Sequence, residues 1–143
     1  MKTQGGFLIT RIKQVGGRIF ERILSEKNID AFNGPQGRIL YVLWQKDGIP
    51  ISELSRETGL AMTTLTSMLD RMETSGMVRR DRGDTDRRKI LIYLTESAKM
   101  LKDDYDEVTK EIGNIYYKGF TEEEIRQFEA YLRRILANVE ERI

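Results

Sequence analysis

The amino-acid sequence predicts a mainly α-helical protein with one small β-hairpin, an α+β fold. Over most of the 143 residues, apolar side chains recur at steps of three and four, which is the spacing of amphipathic helices. Residues 77–94 instead form two short runs rich in β-branched and charged side chains around a Gly-Asp-Thr-Asp turn, as paired strands do. A composition of 39% hydrophobic and 33% charged residues is typical of a folded globular chain and argues against disorder.

The composition also limits the chemistry that the protein can perform. The sequence contains no cysteine and no histidine, which removes thiolate nucleophiles, Ser-His-Asp triads and Cys or His metal sites. The remaining acidic pairs, Asp84 with Asp86 and the run at 122–124, lie in a turn and in the first turn of a helix, where carboxylates are expected. No phosphate-binding glycine loop is present. We therefore expect no enzyme, no cofactor and no metal.

Nothing in the sequence predicts a membrane segment. The longest apolar run, residues 39–44, is far shorter than the roughly 20 residues of a membrane-spanning helix. The first ten residues have neither the apolar core nor the cleavage site of a secretory signal. We expect a cytoplasmic protein that does not bind membranes.

The N-terminal region is predicted to be one amphipathic helix over about residues 7–27. Its apolar positions are Leu8, Ile12, Val15, Ile19 and Ile23. Gly16 and Gly17 interrupt it, at a cost of roughly 1 kcal/mol each relative to alanine. The pair either weakens the helix or lets a second helix approach closely, and we favour the second interpretation. A further, largely apolar helix should begin at residues 33–36, Asn-Gly-Pro-Gln, and end near Lys46.

Residues 51–75 have the layout of a helix-turn-helix. A short helix opens at Pro50 and Ser52, Gly59 occupies the left-handed position that ends it, and a second helix starts near Met62. Four leucines can converge on one core: Leu54, Leu60, Leu65 and Leu69. Short hydroxyl side chains crowd the start of the second helix, where they could reach base edges or phosphates: Thr63, Thr64, Thr66 and Ser67. An ordinary helical hairpin with hydroxyl-rich caps is the alternative.

The hairpin at 77–94 favours a DNA-binding helix-turn-helix over an ordinary helical hairpin. Its strands are predicted at 77–82 and 89–94, and it carries six basic and three acidic residues in a chain of net charge +1. A basic hairpin directly after a helix-turn-helix is a wing, which reaches the neighbouring backbone or the minor groove while the helix enters the major groove. A solvated charged hairpin is the alternative. Together, the two motifs predict these DNA-contacting residues: Thr63, Thr64, Thr66, Ser67, Arg71, Arg79, Arg82, Arg87, Arg88 and Lys89.

The C-terminal region is predicted to hold two long helices. The first is capped at Thr95 and Glu96 and ends near Gly119, and the second opens with a capping box at Thr121. Both carry apolar seams at steps of three and four with charged opposite faces, so each needs a partner helix. The two could pair only with each other. We favour a symmetric homodimer formed by residues 1–32 and 96–143, with residues 33–95 as the DNA-binding lobe.

Several stretches together closely resemble the MarR family of bacterial regulators. They are residues 60–73 (LAMTTLTSMLDRME), 76–80 (GMVRR), 86–88 (DRR) and 94–95 (LT). The resemblance covers essentially the whole chain and implies an obligate homodimer of winged helix-turn-helix lobes. Family members bind pseudo-palindromic operators, often repress transcription, and release DNA when a small aromatic or anionic ligand binds. By position, Arg88 resembles the wing-tip arginine that enters the minor groove, and Asp86 resembles the carboxylate that braces the wing.

The chain departs from the family pattern at a few positions. Family members often have arginine in place of Ser67, so one charged contact is missing and the base preference should differ. Ala61 replaces the usual Ser or Asp, so we expect the helix cap to be weak or shifted to Thr63. The absence of cysteine excludes the thiol-oxidation branch of the family, and without cysteine or histidine we do not expect a zinc-sensing member.

A ligand crevice between the helical arms and the lobe could be lined by Phe7, Tyr41, Trp44 and Met68. The alternative is that these four residues are simply core. The rival to operator binding is a winged-helix module that binds another protein, although the basic wing favours DNA.

Overall fold

The computed structural model describes residues 1–32, 34–82 and 89–143. Within these ranges the chain forms seven helices and three strands, which confirms the predicted, mainly helical fold. In chain order the elements are α1 (Gly5–Glu26), α2 (Pro35–Gln45), β1 (Ile49–Pro50), α3 (Ile51–Thr58), α4 (Met62–Thr74), β2 (Val78–Arg82), β3 (Ile90–Leu94), α5 (Glu96–Met100), α6 (Lys102–Tyr116) and α7 (Glu122–Glu140).

The chain divides into two compact units, residues 1–109 and 110–143. The first unit contains the three-stranded sheet and, among the described residues, all of the buried apolar side chains. In the second unit, Tyr117 donates a hydrogen bond to Glu129 over 2.8 Å and its ring packs edge-on against Phe120 and Phe128. No helix in the described ranges is long and apolar enough to cross a bilayer.

Helix α1 is continuous from Gly5 to Glu26, so the two central glycines do not interrupt it. Gly16 is buried, whereas Gly17 is exposed and a Cβ there would meet no atom within 4 Å. The helix therefore forms despite the low helix propensity of Gly16 and Gly17.

Helix α2 begins as the sequence predicts. Gly34 precedes it with φ at 60°, and Pro35 occupies its first turn. The apolar side chains of Ile39, Leu40 and Leu43 are almost fully buried, so α2 forms the centre of the lobe. A Cβ at Gly37 would lie 2.8 Å from the carbonyl oxygen of Phe32, which explains why glycine is needed at this close approach.

The helix-turn-helix core forms as predicted. Gly59 ends α3 in the left-handed conformation, with φ at 72°. The four predicted leucines are all buried: Leu54, Leu60, Leu65 and Leu69. The turn is further fixed by the buried hydroxyl of Thr58, which donates to the Leu54 carbonyl and accepts from the Leu60 amide. Ala61 is the cap residue of α4 and no side chain caps that helix. Of the two predicted outcomes, the weak cap is therefore confirmed and the shift to Thr63 is not.

The two paired strands of the hairpin are confirmed, whereas its predicted turn at 83–86 lies outside the described residues. A third strand, which was not predicted, joins them. Strands β2 and β3 pair antiparallel, with Val78 opposite Leu94 and Arg82 opposite Ile90. Strand β1 pairs with the other edge of β3, giving the order β1-β3-β2. Two residues carry no detectable periodicity, which is why β1 escaped prediction. Just before β1, the carboxylate of Asp47 accepts a hydrogen bond from the Leu94 amide over 2.8 Å.

The long helix predicted after Thr95 is in fact two helices, α5 and α6. The Thr95 hydroxyl caps α5 by accepting the Ala98 amide, as predicted. At Leu101 the amide donates to the carbonyl three residues back rather than four, and α6 starts at the next residue. The capping box of α7 is confirmed, with reciprocal hydrogen bonds between Thr121 and Glu124.

Candidate nucleic-acid interface

One face of helix α4 presents the predicted hydroxyl groups to solvent. Thr63, Thr64, Thr66 and Ser67 are all exposed. The opposite stripe, Leu65, Leu69 and Met72, is completely buried and fixes the rotation of the helix about its axis. The side chains that could read base edges therefore face outward because the leucines and Met72 face inward. Thr63, Thr66 and Ser67 share a shallow depression with Met62 and Asp70.

The arginines of β2 alternate between the two faces of the sheet, as successive strand residues must. Arg79 lies opposite Tyr93, with its guanidinium 4.4 Å from the ring centroid and 3.1 Å from the Asp81 carboxylate. Arg80 points to the other face, where its guanidinium lies 2.7 Å from the carboxylate of Asp70 on α4. Internal contacts thus engage two of the cations that give the hairpin its positive charge.

The other predicted cations lie around these two elements. Arg71 is exposed near the end of α4, and Arg82 and Lys89 are exposed at the hairpin ends of β2 and β3. Arg87, Arg88 and the bracing carboxylate Asp86 lie outside the described residues, so their roles stay predictions.

Asp70 and Arg80 belong to this surface but were absent from the predicted set. A signal for them exists in the sequence. Val78 is apolar and must face the core, so Arg80, two residues later, has to lie on the same side of β2 and face the preceding helix. Asp70 is one turn after Thr66 and therefore lies on the hydroxyl face of α4.

The four residues predicted to line a ligand crevice lie on three different helices, α1, α2 and α4, and the crevice stays a prediction. Trp44 belongs to an aromatic cluster with Phe32 and Tyr105, and its indole N–H donates to the Ala98 carbonyl over 3.0 Å. Phe7 is 70% exposed on α1, and Met68 is half-buried on α4. Tyr41 is half exposed and lines a depression with Arg38 and Tyr105. The contacts of Trp44 match the alternative interpretation, in which this side chain is core.

Burial also affects the ionisation of the aromatic cluster. Removal of Tyr105 from water raises the pKa of its phenol above the ordinary value. The shift moves ionisation further from physiological pH, and the neutral ring packs beside Tyr41 and Trp44.

A helix, a glycine turn and a second helix with an exposed hydroxyl face lead directly into a basic hairpin. This arrangement defines a winged helix-turn-helix protein. Residues 32–90 match the model of the MarR family. The chain is also 31% identical to the organic hydroperoxide resistance transcriptional regulator of Bacillus subtilis, over 72% of this chain and 68% of that protein. The chain belongs to the MarR family.

Other relatives agree with this assignment. The chain is 34% identical over 77% of its length to the HTH-type transcriptional regulator TtmR of Methylorubrum extorquens, but it spans only about half of that relative, 54%. A MarR mutant from Escherichia coli, solved in complex with operator DNA, is 25% identical, with a TM-score of 0.78 and 92% of each chain covered. These relatives are named as regulators rather than enzymes, in agreement with the expectation from composition.

Proposed function

We propose that the protein is a transcriptional regulator that binds a pseudo-palindromic operator as a homodimer. The observation that carries the proposal is the exposed hydroxyl face of α4 beside a strand rich in arginine. The names of the relatives and the operator complex of the Escherichia coli protein support it. A repressor that acts in the cytoplasm, where bacterial operators are, is the form that best fits the family.

The dimensions of α4 suit the major groove. Its 13 residues span about 20 Å at 1.5 Å per residue, and the groove, about 12 Å wide, admits one helix. Hydroxyl groups at its first two turns can donate to or accept from base edges, whereas the hairpin cations bind phosphates and set the register. In this arrangement Arg88 enters the minor groove and Asp86 braces the wing.

Apolar faces left open on α1 and α7 support the homodimer. None of the residues of α7, all of which the structure describes, is buried. The exposed apolar side chains of α7 are Phe128, Tyr131, Leu132, Ile135, Leu136 and Val139. Those of α1 are Phe7, Leu8, Ile9, Ile12 and Val15. Monomeric proteins rarely leave such continuous apolar stripes in water, and a two-fold interface would bury both.

Release of the operator by a small aromatic or anionic ligand forms part of the proposal. The depression beside Tyr41 combines aromatic rings with the guanidinium of Arg38, which suits a ligand of this chemistry. Such a ligand can release DNA only by binding more tightly to a dimer geometry that does not fit the operator.

The test is a gel shift on the DNA upstream of the protein's own coding sequence. We expect selective binding over a shuffled duplex of the same composition, measured at two salt concentrations. A protein that binds neither duplex in dilute buffer would be the winged-helix interaction module instead. Equal affinity for both duplexes would leave only non-specific binding and would contradict an operator.

Replacing Thr64 or Thr66 by valine should change which bases are preferred, because valine keeps the branched shape and removes only the hydroxyl. About 1–3 kcal/mol is expected at the base pair that each hydroxyl contacts and little elsewhere. The measurement is the affinity for a set of operators that each differ at one base pair.

The matched control for these variants is Thr74→Val in the last turn of α4, where the hydroxyl donates to the Asp70 carbonyl. It should leave the preference profile unchanged. Equal losses across all operators for Thr64→Val and Thr66→Val would count against direct readout by these two residues.

A further inference from the structure

The depression on α4 that contains the hydroxyl groups also contains a carboxylate. Asp70 lines the same depression as Thr63, Thr66 and Ser67, and its side chain is 62% exposed. A negative charge at this position would face the phosphates of a bound duplex and repel them. Its only ion-pair partner among the described residues is Arg80.

Arg80 reaches Asp70 from the middle strand position of β2. Its guanidinium donates to the Asp70 carboxylate over 2.7 Å and more weakly to the Thr66 carbonyl at 3.5 Å. Only 27% of the Arg80 side chain is exposed, and its Nε is buried with no hydrogen-bond partner among the described residues. The backbone of Arg80 lies opposite Ile92, which is completely buried at the centre of the sheet.

These contacts make Arg80 a physical link between two elements that would have to fit one duplex. Its backbone is held by the hairpin, and its guanidinium is held by a residue of α4. If Asp70 were replaced by asparagine, its amide oxygen could still accept from the guanidinium, but the contact would lose the strength that the carboxylate charge gives it. The Arg80 Nε has no other partner among the described residues to compensate. The direction of the hairpin relative to the hydroxyl face would then be less strictly defined.

We propose that Asp70 and Arg80 are positioning residues for operator recognition, whose ion pair fixes the wing strand against the recognition helix. This inference rests on the proposed function. It assigns Asp70 a favourable role even though its charge has the wrong sign for DNA. It also makes Arg80 a structural partner of the helix rather than a phosphate contact.

The direction in which Asp70→Asn changes operator affinity distinguishes a positioning role of Asp70 from a purely electrostatic one. Asp70→Asn removes a negative charge, so electrostatics alone predicts tighter binding to every duplex. Positioning predicts weaker binding to the operator, by about 5- to 10-fold, as for residues coupled in one network. It also predicts no loss of affinity for a shuffled duplex, which needs no fixed angle. The operator probe is the upstream duplex or the best sequence selected from random duplexes.

The matched control is Glu73→Gln, which makes the same change of charge on the same helix. Glu73 is exposed and forms no side-chain ion pair within the described ranges. It should bind both duplexes equally or slightly more tightly than the unaltered protein. If Asp70→Asn behaves like Glu73→Gln and tightens operator binding, the inference is overturned.

A double-mutant cycle with Arg80→Gln gives a second test. We expect Asp70→Asn with Arg80→Gln to lose no more operator affinity than the worse single variant, because both remove the same link. Additive losses would mean that the two residues act independently and would refute the pair. If the unaltered protein shows no operator preference, the proposed function fails. Amide hydrogen exchange in β2 of the same variants would then still show whether the ion pair stabilises the strand. Faster exchange in both single variants would support it, and unchanged exchange would refute it.

Discussion

Ile135→Glu on α7 is expected to turn the protein into a monomer and to lower operator affinity by at least about 1,000-fold, into the non-specific range. Ile135 is 44% exposed in the single chain and lies at the centre of the open apolar face of α7. In the proposed homodimer this face is covered. A two-fold axis would then bring two new carboxylates into a dry interface, at a cost of several kcal/mol for each unpaired charge.

The large expected loss of operator affinity follows from the two-fold symmetry of the proposed dimer. A pseudo-palindromic operator is bound by two lobes at once, and the second lobe binds at the high effective concentration that the dimer provides. A monomer keeps one recognition helix and one wing, so it loses the second half-site without any change in its own contacts. Sedimentation at micromolar concentration measures the oligomeric state, and the gel shift measures the affinity.

Ala137→Glu is the matched control, since it places the same charge two residues away on the opposite face of α7. It should remain dimeric and bind the operator normally. The side chain of Ile135 is not part of the buried core of the single chain, so the lobe should stay folded in both variants, as circular dichroism can verify. A dimeric Ile135→Glu protein would contradict the proposed interface on α7.

The parts of the fold that the sequence predicted are those governed by local rules. Gly59 ends α3 because only glycine adopts its left-handed conformation without strain, and Thr121 starts α7 because a capping box is a contiguous pattern. The burial of Leu54 and Leu69 follows from helical periodicity alone. Such features depend on residues within a few positions of one another, so one sequence is enough to reveal them.

The parts that were missed depend on contacts between distant residues. Strand β1 exists because Ile49 pairs with Ile92, which is 43 positions later, and no two-residue segment predicts its own partner. The break at Leu101 interrupts a seam whose apolar spacing is otherwise continuous. The pairing of Arg80 with Asp70 required knowing that β2 packs along α4.

The same distinction applies to the candidate site. Counting charges identified the basic hairpin, but it could not show which of its arginines pair with carboxylates of the same chain. The structure shows that Arg79 and Arg80 already contact carboxylates of the chain itself. The hydroxyls of α4 were easier to place, because the burial of Leu65 and Leu69 on one side determines what the other side presents.

Operator affinity should fall steeply with salt, by about 10³–10⁵ between 50 and 200 mM, if the dimer contacts roughly 6–10 phosphates. Each neutralised phosphate releases condensed counterions, so the slope of log affinity against log salt counts the contacts. Arg79 and Arg80 contact carboxylates of the chain itself, and the resemblance to the family assigns the wing-tip contact to Arg88. Arg88→Ala should therefore flatten the slope by up to about 2 per dimer, one contact from each subunit.

The control is Arg126→Ala, which makes the same change of net charge on α7, where the guanidinium already pairs with Glu123. It should leave the slope unchanged, because Arg126 lies outside the proposed DNA-binding lobe. Base preference at the positions read by α4 should persist in Arg88→Ala, since the wing and the helix contact different parts of the duplex. An Arg88→Ala protein with the affinity and the slope of the unaltered chain would remove Arg88 from the interface. The wing cations that remain, Arg82, Arg87 and Lys89, would then have to supply the phosphate contacts.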